Sequence, residues 1–229
     1  MKPYYADDVV TLFLGDCLEV TEWLEADVLV TDPPYGRDWR SGQGMTNANG
    51  GGRGSVAHGG IANDKDTRAR DAALGLWGDR RTVMFGDLML APPTGTRQVM
   101  VYAKPIDAGV KGARGGRRRD AEAIYLIGNW PAGVGGKSSI IRTRRLVAGP
   151  TGAATIYGHP HAKPLDVMEE LISMTAGVVA DPFAGSGSTL VAAKQLGRKA
   201  VGVELDERYC EIAARRLSQG VLDFGEVTA

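Results

Sequence analysis

Apolar positions along the chain gather in short blocks divided by glycines, prolines and charges, and two periods alternate. Val9 to Leu14 (VVTLFL), Asp27 to Thr31, Gln98 to Tyr102 (QVMVY), Ala123 to Ile127 (AIYLI), Val178 to Ala180 and Ala200 to Val203 are brief apolar runs closed by breakers, the mark of buried strands. Helical spacing fills the intervals. Leu18 to Glu25 predicts one or two turns, and Thr67 to Leu90 a helix interrupted at Gly75 and Gly78, with a break at Pro92-Pro93. Leu165, Met168, Leu171, Ile172 and Thr175 recur on one helical face; Leu190 to Leu196 predicts a helix stopped by Gly197, and Asp206 to Leu217 a last one. Residues 37–63, rich in Gly, Asn and Ser, carry no periodicity and are expected to form a flexible loop at the carboxyl end of a strand, where parallel sheets place function. Alternating strands and helices predict an α/β fold with a doubly wound, mostly parallel sheet, in a single domain over 1–229.

Two blocks interrupt this pattern with chemistry. In DVLVTDPPYG the strand ends on Asp32-Pro33-Pro34-Tyr35. Each proline fixes φ and restricts its predecessor, so a carboxylate, free carbonyls and an aromatic ring stand in fixed relation. Such a corner is either a stiff turn or a grip for a flat, polar-edged substrate. The second block, Asp181-Pro182-Phe183-Ala184-Gly185-Ser186-Gly187-Ser188-Thr189, links a strand to a helix, and the next strand ends on Glu204. An acid at that place accepts hydrogen bonds from ribose hydroxyls in nucleoside-binding sheets. The loop lacks the dinucleotide G-x-G-x-x-G spacing and no Gly-Lys-Ser/Thr follows it. With no pyrophosphate cradle, a nucleoside such as S-adenosylmethionine is the better candidate.

Charge adds a partner. Acidic and basic residues balance at 27 each, yet residues 103–150 hold ten Lys or Arg against three acids, a surplus of seven in an otherwise acidic body. That distribution fits a local nucleic-acid contact better than a generally sticky surface. Cys17 and Cys210 form no CxxC pair, and His58, His159 and His161 lack metal-ligand spacing, so no metal is expected. No apolar run reaches the roughly 20 residues of a membrane span, and no secretory pattern opens the chain, so a cytoplasmic protein without a membrane partner is expected.

TDPPYG, HPHAKPLDVMEELI, DPFAGSGST with VGVELDERYCEIAARRL, and LFLGDCLEV together resemble the S-adenosylmethionine-dependent amino-group DNA methyltransferases, in their permuted β class, where the DPPY block precedes the glycine block. The resemblance implies a Rossmann-like methyltransferase fold with circularly permuted motif order, S-adenosylmethionine as cofactor and double-stranded DNA as partner. It implies Asp32, Pro33, Pro34 and Tyr35 as catalytic residues. It assigns Asp181, Phe183, Ala184, Gly185, Gly187 and Thr189 to the methionine side of the cofactor, Lys163 and Pro164 to its flank, Glu204 to the ribose, and Asp16 and Cys17 to the adenine. Val9 to Leu14 would then lie beside Ala200 to Val203 at one sheet edge.

An exocyclic amino nitrogen is a poor nucleophile because its lone pair is delocalised into the ring. Acceptance of its N–H groups by the Asp32 carboxylate and the Pro33 carbonyl would favour a pyramidal, attacking nitrogen, and Tyr35 would stack on the flipped base. Carbon methylation would need a thiolate, and neither cysteine follows a proline. In the resembled family target recognition lies between the catalytic and Lys-Pro blocks, which makes 103–150 the candidate recognition segment and Arg114, Arg117, Arg118, Arg119, Arg142, Arg144 and Arg145 the candidate DNA contacts. So short a segment points to a short target site or to a second subunit, as in a homodimer. Adenine N6 is favoured over cytosine N4 because the family's cytosine enzymes often carry Ser in place of this Asp. RNA or protein amino methylation and a catalytically silent DNA-binding protein are the competing readings; a restriction enzyme partner stays open.

Overall fold

The computed structural model of the 229-residue chain describes residues 1–37, 63–105, 120–131, 136–143 and 162–219. These form nine strands: β1 (Tyr5–Ala6), β2 (Val10–Leu14), β3 (Val28–Thr31), β4 (Thr82–Gly86), β5 (Thr96–Ala103), β6 (Ala121–Ile127), β7 (Ile140–Arg142), β8 (Val179–Asp181) and β9 (Ala200–Glu204). Four helices accompany them: α1 (Arg68–Trp77), α2 (Leu165–Ser173), α3 (Ser188–Gln195) and α4 (Glu207–Ser218), with a 3-10 turn at Glu22–Glu25. One sheet contains all nine strands in the order β1-β2-β9-β8-β3-β4-β6-β5-β7. Only β1 and β6 run against the other seven.

Helical elements cover both faces, which is why the central strands are apolar on both sides. Val28 and Val30 of β3 face a cluster with Leu165, Met168 and Leu171 of α2, Leu190 and Ala193 of α3, and Cys210, Ala213 and Leu217 of α4. Leu29, pointing the other way, joins Trp23, Ala73, Trp77, Ala180 and Val203. There Trp23 stacks on Trp77 at 5.7 Å, and the Arg80 guanidinium lies 3.4 Å over the Trp77 ring while donating to the Leu24 and Ala26 carbonyls. α4 starts where Asp206 accepts the Arg208 N–H at 2.9 Å, and its buried Cys210, Ala213 and Leu217 share one helical face.

The α/β class, the doubly wound parallel sheet and the pairing of β2 with β9 are as expected. Three points differ. The helix expected over Thr67 to Leu90 ends at Trp77, and Thr82–Gly86 is instead a wholly buried strand between β3 and β6. Gly78, at φ 73°, ends the helix, and Val83, Met84 and Phe85 gain more from burial on both sheet faces than from helical continuation. β2 is not the sheet edge, because β1 pairs outside it. β7, inside the cationic segment, lines up parallel to β5. Of the loop expected over 37–63, all but Arg37 and Asn63 lies outside the described residues.

Candidate active site

The chain leaves β8 for α3 and β9 on one side, and leaves β3 for α1 and β4 on the other. β8 and β3 are neighbours, so a crevice opens at their carboxyl ends, the switch point at which open α/β sheets bind ligands. Thr31 Oγ1 spans it, donating to Asp181 Oδ1 at 2.6 Å. Residues 150 apart in the chain are thus tied across the crevice.

On the β8 side, Asp181 lies beneath the loop. Burial pushes its carboxyl up to about 7, although the Thr189 and Thr31 hydroxyls and the Phe183 N–H all donate to it. Thr189 and Ala184 are buried with it, and Phe183 is half-buried. Gly185 donates its N–H to Glu204 Oε2 at 2.7 Å, and the Asp206 N–H reaches Oε1 at 2.9 Å. Burial raises the Glu204 carboxyl, and these N–H groups oppose the rise. Gly187 has φ 81°, and a Cβ there would stand 2.9 Å from that of Ala213, so its missing side chain admits α4 as well as turning the loop. Arg216 of α4 donates to the Ser186 carbonyl at 2.5 Å and pins the loop from behind.

β2 brings Asp16 and Cys17 to the same end, since Leu14 is in register with Glu204 and Gly15 N–H bonds the Glu204 carbonyl at 2.9 Å. Asp16 is half-buried and accepts the Leu18 N–H at 2.9 Å. Cys17 is buried; burial, then the Asp16 charge, pushes its thiol up to about 12. Burial does the same to Cys210. Neither supplies a thiolate near neutrality.

On the β3 side, Asp32 follows the strand, Pro33 is buried, and Pro34 and Tyr35 are half-buried. Tyr35 donates its hydroxyl to Asp32 Oδ1 at 2.7 Å. Lys163 meets Asp32 Oδ2 at 2.6 Å and donates to the Tyr35 oxygen at 3.3 Å. Lys163-Pro164 opens α2, and Pro164 is buried. The Lys163 ammonium therefore meets the Asp-Pro-Pro-Tyr block itself, with the Phe85 ring centroid 4.7 Å away.

Composition and spacing did not single out Glu122. It opens β6, and because β6 alone reverses in this half of the sheet, its amino end lies at the carboxyl ends of β3 and β4. Its Oε2 stands 3.2 Å from Lys163 Nζ and its Oε1 2.5 Å from Lys104 Nζ. Two acids and two cations thus balance. Burial would raise Glu122, but Lys163 and Lys104 outweigh it and hold the carboxyl at about 2. Burial and Glu122 raise Asp32 against the pull of Lys163, while its two carboxylates keep Lys163 protonated despite burial. The available signal was a pair of acids, Asp120 and Glu122, set between a run of arginines and the apolar residues of the strand. Beyond Tyr35, Asp64 accepts the Gly36 N–H at 2.9 Å, and Arg37 forms an ion pair with buried Asp87.

Among the candidate DNA contacts, Arg142 is exposed on β7. Arg114, Arg117, Arg118, Arg119, Arg144 and Arg145 lie outside the described residues, as do His58, His159 and His161. No cluster of three or more potential metal-ligating residues occurs among the described residues, and none of their helices is long and apolar enough to cross a membrane.

Residues 128–215 match the family model described as DNA methylase. The chain is 42% identical over 65 residues to the type II methyltransferase M2.LlaDCHI of Lactococcus lactis subsp. cremoris, covering 27% of this chain and 24% of that protein. It is 40% identical over 62 residues to M2.DpnII of Streptococcus pneumoniae, covering 26% and 23%. The chain spans about a quarter of the length of the curated relatives it matches. Among solved structures, M1.HpyAVI in complex with SAM superposes with a TM-score of 0.59 at 18% identity, over 91% of this chain and 99% of that one. The cytosine-N4-specific PvuII DNA methyltransferase gives 0.64 at 16% identity, over 94% and 88%. The fold is therefore the one these methyltransferases share.

Proposed function

We propose that this chain is an S-adenosylmethionine-dependent, site-specific DNA methyltransferase that modifies the exocyclic amino nitrogen of a base turned out of the duplex, with adenine N6 preferred. We assign it to the permuted β class, in which the DPPY block comes first in the chain. The observation that carries this reading is the joining of Asp32 and the Asp181–Thr189 loop across one switch point, tied by the Thr31 to Asp181 bond at 2.6 Å.

The residues at hand suit the cofactor. The Gly185 and Asp206 N–H groups hold the Glu204 carboxylate in place at the end of β9, where it can accept from a ribose hydroxyl. Asp16 stands beside it at the end of β2, in reach of an adenine on that flank. When bound, S-adenosylmethionine supplies an electrophilic sulfonium methyl group. The chain's own part is to position and polarise the amine. The Asp32 carboxylate and the buried Pro33 carbonyl accept its two N–H groups, which draws the nitrogen lone pair out of conjugation. Tyr35 offers a ring for stacking, offsetting an unstacking cost of a few kcal/mol. The surplus amine proton leaves through Asp32 to solvent. The high thiol pKa values disfavour carbon methylation, which needs a covalent thiolate. Double-stranded DNA is the proposed partner, held by Arg142 and by the sequence-assigned Arg114, Arg117, Arg118, Arg119, Arg144 and Arg145 of segment 103–150, within one catalytic domain over 1–229.

The test incubates the protein with methyl-labelled S-adenosylmethionine and unmethylated genomic DNA, then identifies the labelled nucleoside. N6-methyladenine is expected; N4-methylcytosine would move the assignment to the other amino base, and unlabelled DNA would overturn the reading. Asp32→Ala should abolish transfer while cofactor affinity measured by calorimetry stays within a few fold. Full activity in that variant would sink the role given to Asp32.

A further inference from the structure

Both Asp32 oxygens have partners: the Tyr35 hydroxyl on Oδ1 and the Lys163 ammonium on Oδ2. An amine that attacks a methyl group becomes cationic as its lone pair enters the new bond, and an ammonium seated on the accepting carboxylate opposes that charge. The site holds a second seat for this ammonium. Glu122 Oε2 is buried, faces Lys163 Nζ at 3.2 Å and accepts no other hydrogen bond among the described residues. Its other oxygen is fixed by Lys104 at 2.5 Å, so the carboxylate cannot turn away. Lys163 thus lies between two acids at 2.6 and 3.2 Å, and a shift of under an ångström changes its principal partner.

We propose that Glu122 is a positioning residue that draws the Lys163 ammonium off Asp32 when the target amine arrives, freeing Oδ2 to accept the amine N–H. The inference rests on the amino-methyltransferase reading. It explains why the reversed strand β6 brings an acid to a site that otherwise needs only Asp32. Lys163 keeps its charge throughout and no bond is made or broken in the exchange. The titratable and charged groups around Asp32 are Tyr35 on its own block, Lys163 at the head of α2, Glu122 on β6 and Asp181 at the end of β8, with Arg37 acting through Tyr35 and Lys104 through Glu122. Removing the negative charge of Glu122 leaves Lys163 wholly to Asp32. The acid is then easier to ionise and less available to substrate.

The pH dependence of kcat and KM for DNA methylation separates this from a packing role. In Glu122→Gln, kcat should fall at least about tenfold, KM for S-adenosylmethionine should stay within about twofold, and the acid limb of kcat should move to lower pH. Glu122→Asp should recover part of kcat. Lys104→Gln removes a cation linked to Asp32 through Glu122 and Lys163 and should move the limb the other way, to higher pH; its partly exposed side chain makes it the variant to rely on should Glu122→Gln fail to fold. Limbs that stay put in every variant that folds, or a Glu122→Gln enzyme with wild-type kcat, would overturn the proposal while wild-type DNA methylation upheld the activity. Wild-type protein that methylates no DNA would overturn both.

Discussion

Asp181 shows how one carboxyl can tie two strands and a loop together. It is buried, spans the switch point through Thr31 and shapes the glycine loop through the Phe183 N–H. The folded chain holds its proton more tightly than the unfolded chain, with a carboxyl moved from 3.8 to about 7. Its contribution to stability is therefore full below the unfolded value and is lost as pH rises through about 7, a change on the order of a few kcal/mol. Asp181→Asn keeps an acceptor for Thr31 and cannot ionise. Its urea midpoint should match the wild type near about pH 3, pull ahead as pH rises past the unfolded value, and exceed it fully near about pH 8. Parallel loss of stability in both proteins across that interval would show that another group titrates. The sequence made the site's consecutive residues legible, since Asp32 to Tyr35 and Asp181 to Thr189 are local motifs. It could not place Glu122 or direct Lys163 onto Asp32, because the first depends on the reversal of β6 and the second on where α2 packs.

The same division holds for elements. β2, β3, β5, β6, β8 and β9 were legible as apolar runs bounded by breakers, and α2, α3 and α4 as stripes or capped segments. β4 was not, because Thr82–Gly86 follows a helix after four residues and its apolar run has no period of its own. Only the neighbours on both sides, β3 and β6, make it a strand. Packing between elements is also where glycine placement is decided. Gly187 caps α3 at φ 81° with Ala213 of α4 2.9 Å from where a Cβ would lie. Gly187→Ala must both adopt a left-handed backbone and push α4 outward, which should cost about 1–3 kcal/mol. A lower urea midpoint with unchanged slope is the expected result. A midpoint equal to wild type would mean that α4 gives way freely and that the Arg216 contact to the loop is dispensable.

At the scale of the molecule, the sheet order gathers four stretches that the chain keeps apart, the ends of β2, β3, β8 and β9, at one rim. β6 adds Glu122 to that rim from a segment whose composition suggests only cationic surface. Charge in that segment is accordingly not uniform in purpose. Lys104 is occupied with Glu122 inside the site, whereas Arg142 is exposed on β7. The proposed DNA contact would then draw on the remaining cations, of which Arg117 to Arg119 are the densest group. Every phosphate that a side chain no longer neutralises lowers the slope of log affinity against log salt by about 0.9. Replacing all three arginines with alanine should weaken binding to any duplex and reduce the slope by roughly 1–3, with little preference among sequences. Fluorescence anisotropy at several salt concentrations measures it. A slope equal to wild type would remove these arginines from the interface and leave the DNA contact to Arg142 and its neighbours across the sheet.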